Sequence, residues 1–208
     1  QTCHLNSRIL VPRSRYDEMV DALVALASGL NVGDPLEKST DVGPLVSARQ
    51  RDRVLGYIEA GKADGAKLVA GGGIPADQPD GWFVSPTVFA DVDNASRIAQ
   101  EEIFGPVLAV IPYDTEQHAV TLANDSDYGL GGTVWSADAE HATDIARAIR
   151  SGTVGVNDYQ MDMAAPFGGV KASGLGRELG PEGLAAYQSI KSIYRVGPAS
   201  GEDSLSAP

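Results

Sequence analysis

The 208-residue chain has one cysteine, Cys3, and only three histidines. A single thiol excludes an internal disulfide bond and a metal site built from several thiolates. No apolar run approaches the roughly 18 residues that a membrane-spanning helix needs. Basic residues are also scarce, because 16 Lys and Arg stand against 28 Asp and Glu and leave a net charge of −12. This charge repels phosphate and anionic lipid, so we expect no nucleic-acid binding and no membrane binding. One thiol and three scattered histidines also lead us to expect no metal site.

The rest of the composition is that of a globular protein, with 43% hydrophobic and 21% charged residues. From Val107 onward, segments typical of strands and helices alternate along the chain. Strands are predicted at 107–113, 133–135 and 153–156, and helices at 115–124 and 139–149. This alternation with short connections predicts an α/β fold, in which helices cover both faces of a twisted, mostly parallel sheet.

The first half of the chain has weaker patterns. Residues 8–11 and 67–70 are short β-rich runs and predict strands. Residues 83–92 are also extended in character but contain Pro86, which predicts an edge strand or an irregular strand. Ser47 followed by Gln50 is typical of the start of a helix, since a serine hydroxyl can accept from the amide three residues later.

The C-terminal residues differ from the rest. Residues 189–196 predict a final strand. Residues 197–208 are small, polar and acidic, and we expect a disordered tail there. The predicted domain therefore covers residues 1–188. The acidic charge, the free thiol and the lack of a membrane span favour a cytoplasmic location.

Cys3 is the first candidate for chemistry. Lone cysteines are most often small buried hydrophobic residues, but the neighbours of Cys3 are mainly polar, which suits a reactive thiol. A thiol needs a nearby base or donor to form thiolate at neutral pH. A cysteine hydrolase or acyltransferase that uses Cys3 and a histidine is one interpretation. His4 is adjacent, yet neighbouring residues rarely point at each other, and His118 and His141 lie on predicted helices.

Two other segments carry candidate residues. Glu101 and Glu102 directly precede the apolar strand 107–113, which holds at least one carboxylate near the sheet. Such a carboxylate can accept hydrogen bonds from sugar hydroxyls or act as a general base. Residues 166–178 contain closely spaced glycines, whose spacing does not match a dinucleotide phosphate loop. Glycines of this density let the backbone pass close to other backbone or to a ligand.

These segments, in this order, resemble the aldehyde dehydrogenase superfamily. Residues 1–8 are similar to its nucleophile segment, residues 101–107 to its Glu-Glu-Ile-Phe-Gly-Pro-Val motif, and Asn157 with residues 166–178 to its substrate loop and Pro-Phe-Gly-Gly segment. The resemblance covers residues 1–196. It implies the catalytic-domain fold, with residues 189–196 as an oligomerisation strand that pairs with a neighbouring subunit in a homodimer or homotetramer.

The resemblance also implies an activity, the oxidation of a small aldehyde to a carboxylic acid with hydride transfer to NAD or NADP. Cys3 would attack the aldehyde and form a thiohemiacetal, then a thioester that water hydrolyses. Glu102 would hold the hydroxyls of the nicotinamide ribose, and Phe104 would pack on the nicotinamide ring. Gln50 would reach the ribose, with a helix cap as the alternative, and Leu130 would touch the cofactor.

The implied aldehyde pocket consists of His4, Tyr159, Met161 and Phe167, with plain packing left open for Met161. In the family, the general base, an asparagine oxyanion donor and most of the dinucleotide-binding domain precede the nucleophile. We therefore expect these 208 residues to need their own N-terminal cofactor-binding domain, and to be inactive as a dehydrogenase without it. A non-catalytic role in assembly is a further alternative.

Overall fold

The computed structural model describes residues 1–197, which form six strands and six α-helices. The strands are β1 (Arg8–Pro12), β2 (Lys67–Ala70), β3 (Thr87–Ala90), β4 (Val107–Tyr113), β5 (Gly131–Val134) and β6 (Thr153–Val156). The helices are α1 (Tyr16–Gly29), α2 (Ala48–Ala63), α3 (Arg97–Gln100), α4 (Glu116–Asn124), α5 (Ala139–Ala148) and α6 (Gly180–Ala185). Between residues 1 and 197, no helix has both the length and the apolar character that crossing a membrane requires.

The strands form two sheets. The larger sheet has the order β1-β4-β3-β2, in which β1 and β3 run parallel to β4 and β2 runs antiparallel to β3. The smaller sheet is the parallel pair β5-β6. The predicted α/β fold with a mostly parallel sheet is therefore confirmed, but the sheet is divided. Because β1 and β3 occupy both edges of β4, the next strand along the chain, β5, does not pair with β4 and instead pairs with β6.

Helices cover both faces of the larger sheet, as predicted. Side chains alternate between the two faces of a strand, and β4 follows this rule. Val107, Ala109 and Ile111 pack in the core beneath α2 and α3. Val110 packs with Val11 in the core beneath α1. The near-continuous apolar run of β4 is thus explained by burial on both faces.

Residues 83–92 differ from the prediction. The strand β3 lies between β2 and β4, and all four of its residues are buried, so the predicted edge position is wrong. Pro86 directly precedes the strand and removes no ladder hydrogen bond from it. The amide of Thr87 donates to the carbonyl of Pro106 across 2.8 Å, so pairing begins one residue after the proline.

The predicted C-terminal strand has no partner strand among residues 1–197. Residues 189–196 have no regular secondary structure, and they form no backbone pairing with the other residues in the range 1–197. A strand requires a neighbouring strand, and the resemblance places that neighbour on another subunit. The strand therefore stays a prediction. The predicted tail lies outside the described residues from position 198 onward.

Candidate active site

Cys3 is exposed and lies in a tight turn directly before the larger sheet. The amide of Leu5 donates to the carbonyl of Thr2 across 3.1 Å, which makes Cys3 and His4 the central residues of the turn. Within residues 1–197, the amide of Cys3 itself donates to no acceptor. The turn therefore presents both the thiol and a free backbone N–H, which are the two groups that a cysteine nucleophile needs.

The turn is anchored between the two sheets. Asn6 donates through Nδ2 to Thr133 Oγ1 in β5 at 3.3 Å. Arg8, the first residue of β1, donates to Asn94 Oδ1 at 2.6 Å and to two carbonyls in the last turn of α4 at 3.0 and 3.1 Å. A cation at a helix C-terminus also interacts favourably with the helix dipole. These contacts fix the nucleophile segment on both sides.

A second segment, residues 101–104, lies against the nucleophile segment. Gln1 accepts from the amide of Val46 at 2.9 Å and donates through Nε2 to the carbonyl of Phe104 at 3.2 Å. Gln50 Nε2 donates to the carbonyls of Ile103 and Phe104, each at 3.1 Å. Phe104 has a φ of 60°, in the left-handed region that non-glycine residues rarely adopt. Two side-chain amides therefore hold a strained peptide beside the nucleophile.

The two adjacent carboxylates have different environments. Glu101 Oε2 accepts from the Tyr57 hydroxyl at 2.7 Å and from Arg97 Nε at 3.1 Å. The hydrogen bond from Tyr57, together with Arg97, lowers the pKa of the Glu101 carboxyl. Glu102 is exposed, and its carboxylate has no hydrogen bond or ion pair to any residue between 1 and 197, while its carbonyl accepts from Arg53 Nη2 at 2.6 Å. Glu102 is therefore the carboxylate that is free to accept from a ligand.

Three of the four predicted pocket residues lie together, and one of them, His4, directly follows Cys3 in the chain. The ring of His4 stacks on Tyr159 with centroids 5.5 Å apart, and it meets Phe167 edge to face at 5.9 Å. The Tyr159 hydroxyl lies 2.6 Å from Thr153 Oγ1 in β6. The Nδ1 atom of His4 is buried and has no hydrogen-bond partner in the described part of the chain. The rings of His4, Tyr159 and Phe167 form an aromatic wall that begins at the residue after Cys3.

Met161 is placed differently. It lines a half-open cavity of about 310 Å³ together with Tyr159 and Phe167, and neither Cys3 nor His4 contributes to the lining of this cavity. Met161 is 45% exposed in this chain, and its role as a pocket residue or as a packing residue stays a prediction.

Leu130 lies directly before β5, where its carbonyl accepts from the amide of Thr153 at 3.1 Å and from the Thr153 hydroxyl at 2.8 Å. Its observed hydrogen bonds therefore serve the β5–β6 pairing.

The glycine-rich segment brings backbone against backbone. The amide of Phe167 donates to the carbonyl of Glu178 at 2.7 Å, and the reverse bond has the same length. A Cβ atom added to Gly152 would lie 1.6 Å from the carbonyl oxygen of Gly168. Gly168 is crowded as well, since an added Cβ would lie 2.6 Å from the carbonyl oxygen of Gly176, whereas Gly174 and Gly176 have positive φ angles of 119° and 86°. These features explain the glycines without a phosphate ligand, and the pairing with Glu178 holds Phe167 in position.

The remaining histidines form surface pairs. His118 Nδ1 lies 3.8 Å from Asp114 Oδ2, and His141 Nε2 lies 2.8 Å from Glu116 Oε1. The hydrogen bond with Glu116 raises the pKa of His141. Within the described range, no histidine ring is hydrogen-bonded to the Cys3 thiol, so the hydrolase interpretation gains no support from these contacts.

The profile described as "Aldehyde dehydrogenase family" matches residues 1–193. The chain belongs to the aldehyde dehydrogenase family. A geranial dehydrogenase of Castellaniella defragrans is 59% identical over 197 residues, which are 95% of this chain and 41% of that protein. A betaine aldehyde dehydrogenase of Brucella melitensis is 43% identical over 197 residues, 93% of this chain and 40% of that protein. The resemblance seen in the sequence is thus confirmed.

Solved aldehyde dehydrogenases share the fold. A Mycobacterium tuberculosis aldehyde dehydrogenase complexed with NAD⁺ superposes with a TM-score of 0.90 and 52% identity, over 94% of this chain and 42% of that one. The NAD⁺ complex of a Bacillus cereus aldehyde dehydrogenase gives a TM-score of 0.89 and 46% identity, over 93% of this chain and 39% of that one. The present aldehyde dehydrogenase chain therefore spans about two fifths of the length of the relatives it matches.

Several contacts in this member of the family were not predicted from its sequence. Arg53 and Tyr57 hold the backbone and a carboxylate of residues 101–104, and Gln1 joins that segment to the nucleophile. The sequence did contain a signal for a shared role of these side chains. Gln50, Arg53 and Tyr57 are three and four residues apart and so lie on one face of the helix. Their target could not be read locally, because it lies 44–54 residues further along the chain.

Proposed function

We propose that this chain carries the nucleophile and part of the cofactor site of an enzyme that oxidises an aldehyde to a carboxylic acid with NAD(P)⁺. The observation that carries the proposal is the contact between the two motif segments. Gln1, two residues before the exposed Cys3, is hydrogen-bonded to Phe104, two residues after the free carboxylate of Glu102. A nucleophile and a ribose-binding group are thereby held side by side. Membership of the family and the NAD⁺ complexes of its solved relatives support the same conclusion.

In this proposal, the Cys3 thiolate adds to the aldehyde carbon and forms a tetrahedral thiohemiacetal. The free amide of Cys3 donates to the developing oxyanion, a contact of a type worth about 3–4 kcal/mol in other enzymes. Loss of hydride from that carbon leaves a thioester on Cys3, and hydrolysis of the thioester releases the acid. Covalent attachment matters because it places an oxyanion on the carbon that loses the hydride.

The residues around Glu102 fit a nicotinamide nucleotide. An exposed carboxylate without a partner can accept from the two hydroxyls of a ribose, and Phe104, which is partly buried, offers a ring for packing. When bound, NAD(P)⁺ supplies the acceptor for the hydride. Gln50 Nε2 already donates hydrogen bonds to two backbone carbonyls, so only Oε1 of Gln50 is available to the ribose. Leu130 remains a proposed contact at the edge of this site.

The aromatic wall suggests the kind of aldehyde. His4, Tyr159 and Phe167 present rings rather than charges beside Cys3, which favours an aldehyde with an apolar body. The relative with 59% identity is described as a geranial dehydrogenase, and we include geranial among the substrates to test. Met161 is proposed as a further wall residue.

We further propose that residues 1–188 form a catalytic domain that works with its own N-terminal cofactor-binding domain, in the cytoplasm. Without that domain, we expect the 208 residues to lack dehydrogenase activity. Residues 189–196 are proposed to pair with another subunit in a homodimer or homotetramer. Their exposed side chains support this, with Ile190 at 96%, Tyr194 at 94% and Val196 at 98% exposure.

The proposed function is tested with the purified full protein that carries this chain. NAD⁺ or NADP⁺ is added with a panel of aldehydes that includes geranial and betaine aldehyde. We expect formation of reduced cofactor, followed by its absorbance, and an equal amount of carboxylic acid, measured by mass spectrometry. A protein that binds the cofactor but oxidises none of the aldehydes would contradict the proposal.

A more specific prediction concerns Glu102. Its replacement by glutamine keeps the shape and removes the charge, so hydrogen bonds from the ribose hydroxyls weaken. Hydrogen bonds to charged groups contribute about 1.5–3 kcal/mol, and we therefore expect the KM for NAD⁺ to rise about tenfold or more. Acylation of Cys3 by an activated ester without cofactor serves as the control and should not change. An unaltered KM would remove Glu102 from the cofactor site.

A further inference from the structure

One face of α2 supports the backbone of residues 102–104. Gln50 and Arg53 are three residues apart on this helix, and their side chains point toward the same segment. Gln50 donates to the carbonyls of Ile103 and Phe104, and Arg53 Nη2 donates to the carbonyl of Glu102 at 2.6 Å. Three successive carbonyls therefore accept from side chains of a single helix.

These carbonyls need an external partner. Residues 102–104 belong to no helix or strand, so the segment has no ladder of its own. Phe104 is in the left-handed region with a φ of 60°, a conformation that a non-glycine residue keeps only where its surroundings enforce it. Gly105 is pressed against α2, because an added Cβ would lie 2.5 Å from Val54 Cγ2. Helix α2 thus determines how closely residues 102–105 approach it and which backbone conformation residues 102–104 adopt.

Arg53 is an exposed residue whose guanidinium makes further contacts on α2. Its guanidinium lies over the ring of Tyr57, with Cζ 4.9 Å from the ring centroid, and its Nη2 also donates to the Tyr57 hydroxyl at 3.0 Å. Tyr57 is buried, with 3% exposure, and donates in turn to Glu101. A planar guanidinium that is fixed by a ring and two acceptors is a well-defined support for a backbone carbonyl.

We propose that Arg53 is a positioning residue for the nicotinamide nucleotide, acting through the Glu102 carbonyl. By holding this peptide, Arg53 sets the direction of the Glu102 carboxylate and, two residues later, of the Phe104 ring. Arg53 does not have to touch the cofactor. The inference rests on the proposed function, because it requires that Glu102 and Phe104 bind NAD(P)⁺.

The test uses the full protein that carries this chain and compares Arg53→Met, Arg53→Lys and Arg49→Met. Arg49 is the matched control, since it is on the same helix, is exposed and forms no side-chain hydrogen bond or ion pair within residues 1–197. Arg53→Met should raise the KM for NAD⁺ about tenfold, in line with the loss of one charge-assisted hydrogen bond. Arg53→Lys keeps one donor and should stay within about threefold of wild type. Arg49→Met should match wild type.

Two further measurements separate positioning from folding. Acylation of Cys3 by an activated ester, without cofactor, should proceed at the wild-type rate in Arg53→Met, and its melting temperature should stay close to that of Arg49→Met. An unchanged KM for NAD⁺ in Arg53→Met overturns the inference. So does a parallel loss of acylation and thermal stability, which would indicate a structural role. A wild-type protein that fails to reduce NAD⁺ overturns the proposed function, and with it this inference.

Discussion

Replacing Cys3 with serine is expected to abolish cofactor-dependent aldehyde oxidation, with kcat lower by on the order of 10⁴-fold or more. A thiol ionises far more readily than a serine hydroxyl, which needs an adjacent base to act as a nucleophile. Within residues 1–197, no histidine is hydrogen-bonded to position 3, so the serine would have no histidine base among these residues. The measurement is the rate of reduced-cofactor formation at saturating aldehyde and NAD⁺.

The control for this prediction is cofactor binding. Cys3→Ser should bind NAD⁺ with wild-type affinity in a fluorescence titration, because the groups proposed to hold the ribose and the ring are Glu102 and Phe104. Alkylation by iodoacetamide, located by peptide mapping, should label Cys3 in the wild type and leave the variant peptide unlabelled. Turnover that survives in Cys3→Ser would exclude Cys3 as the nucleophile.

Strand positions follow from local sequence signals. The apolar run at residues 107–113 and the shorter patterns at residues 67–70 and 153–156 are all strands with the predicted bounds. The order β1-β4-β3-β2 has no such signal, because it depends on pairings between segments up to about 100 residues apart. Pro86 misled the prediction for a similar reason. Proline excludes a central strand only if it falls inside the ladder, and here the ladder begins one residue later.

In the candidate site, too, the role of a residue depends on contacts with residues that are far away in the sequence. Glu101 and Glu102 are chemically identical neighbours, and only the resemblance pointed to Glu102. The structure distinguishes them through Tyr57, which is 44 residues away from Glu101 in sequence and donates a hydrogen bond to its carboxylate.

Gln50 was interpreted as either a helix cap or a ribose contact. Its backbone amide does complete the cap at Ser47, but its side chain holds residues 103 and 104, a role that requires the fold to be known.

A second large effect is expected from Gly152→Ala. The added methyl group would lie 1.6 Å from the carbonyl oxygen of Gly168, and the amide of Gly152 is also engaged with the carbonyl of Gly129 at 3.0 Å. Neither backbone can move without breaking contacts, so we expect a loss of at least about 3 kcal/mol of stability. In a melting experiment on the full protein this corresponds to a decrease of at least about 3 °C. Aldehyde oxidation should fall as well, because Gly168 directly follows Phe167 of the aromatic wall.

Gly132→Ala is the matched control for this prediction. Gly132 lies in β5 of the same two-stranded sheet, and a Cβ at this position would meet no heavy atom within 4 Å. Since alanine restricts the unfolded chain more than glycine, Gly132→Ala should be neutral or more stable by up to about 1 kcal/mol. Equal melting temperatures for the two variants would mean that residues 166–178 can shift away from β6 at little cost. In that case the close contact at Gly152 does not fix the position of Phe167, and the aromatic wall beside Cys3 is adjustable rather than rigid.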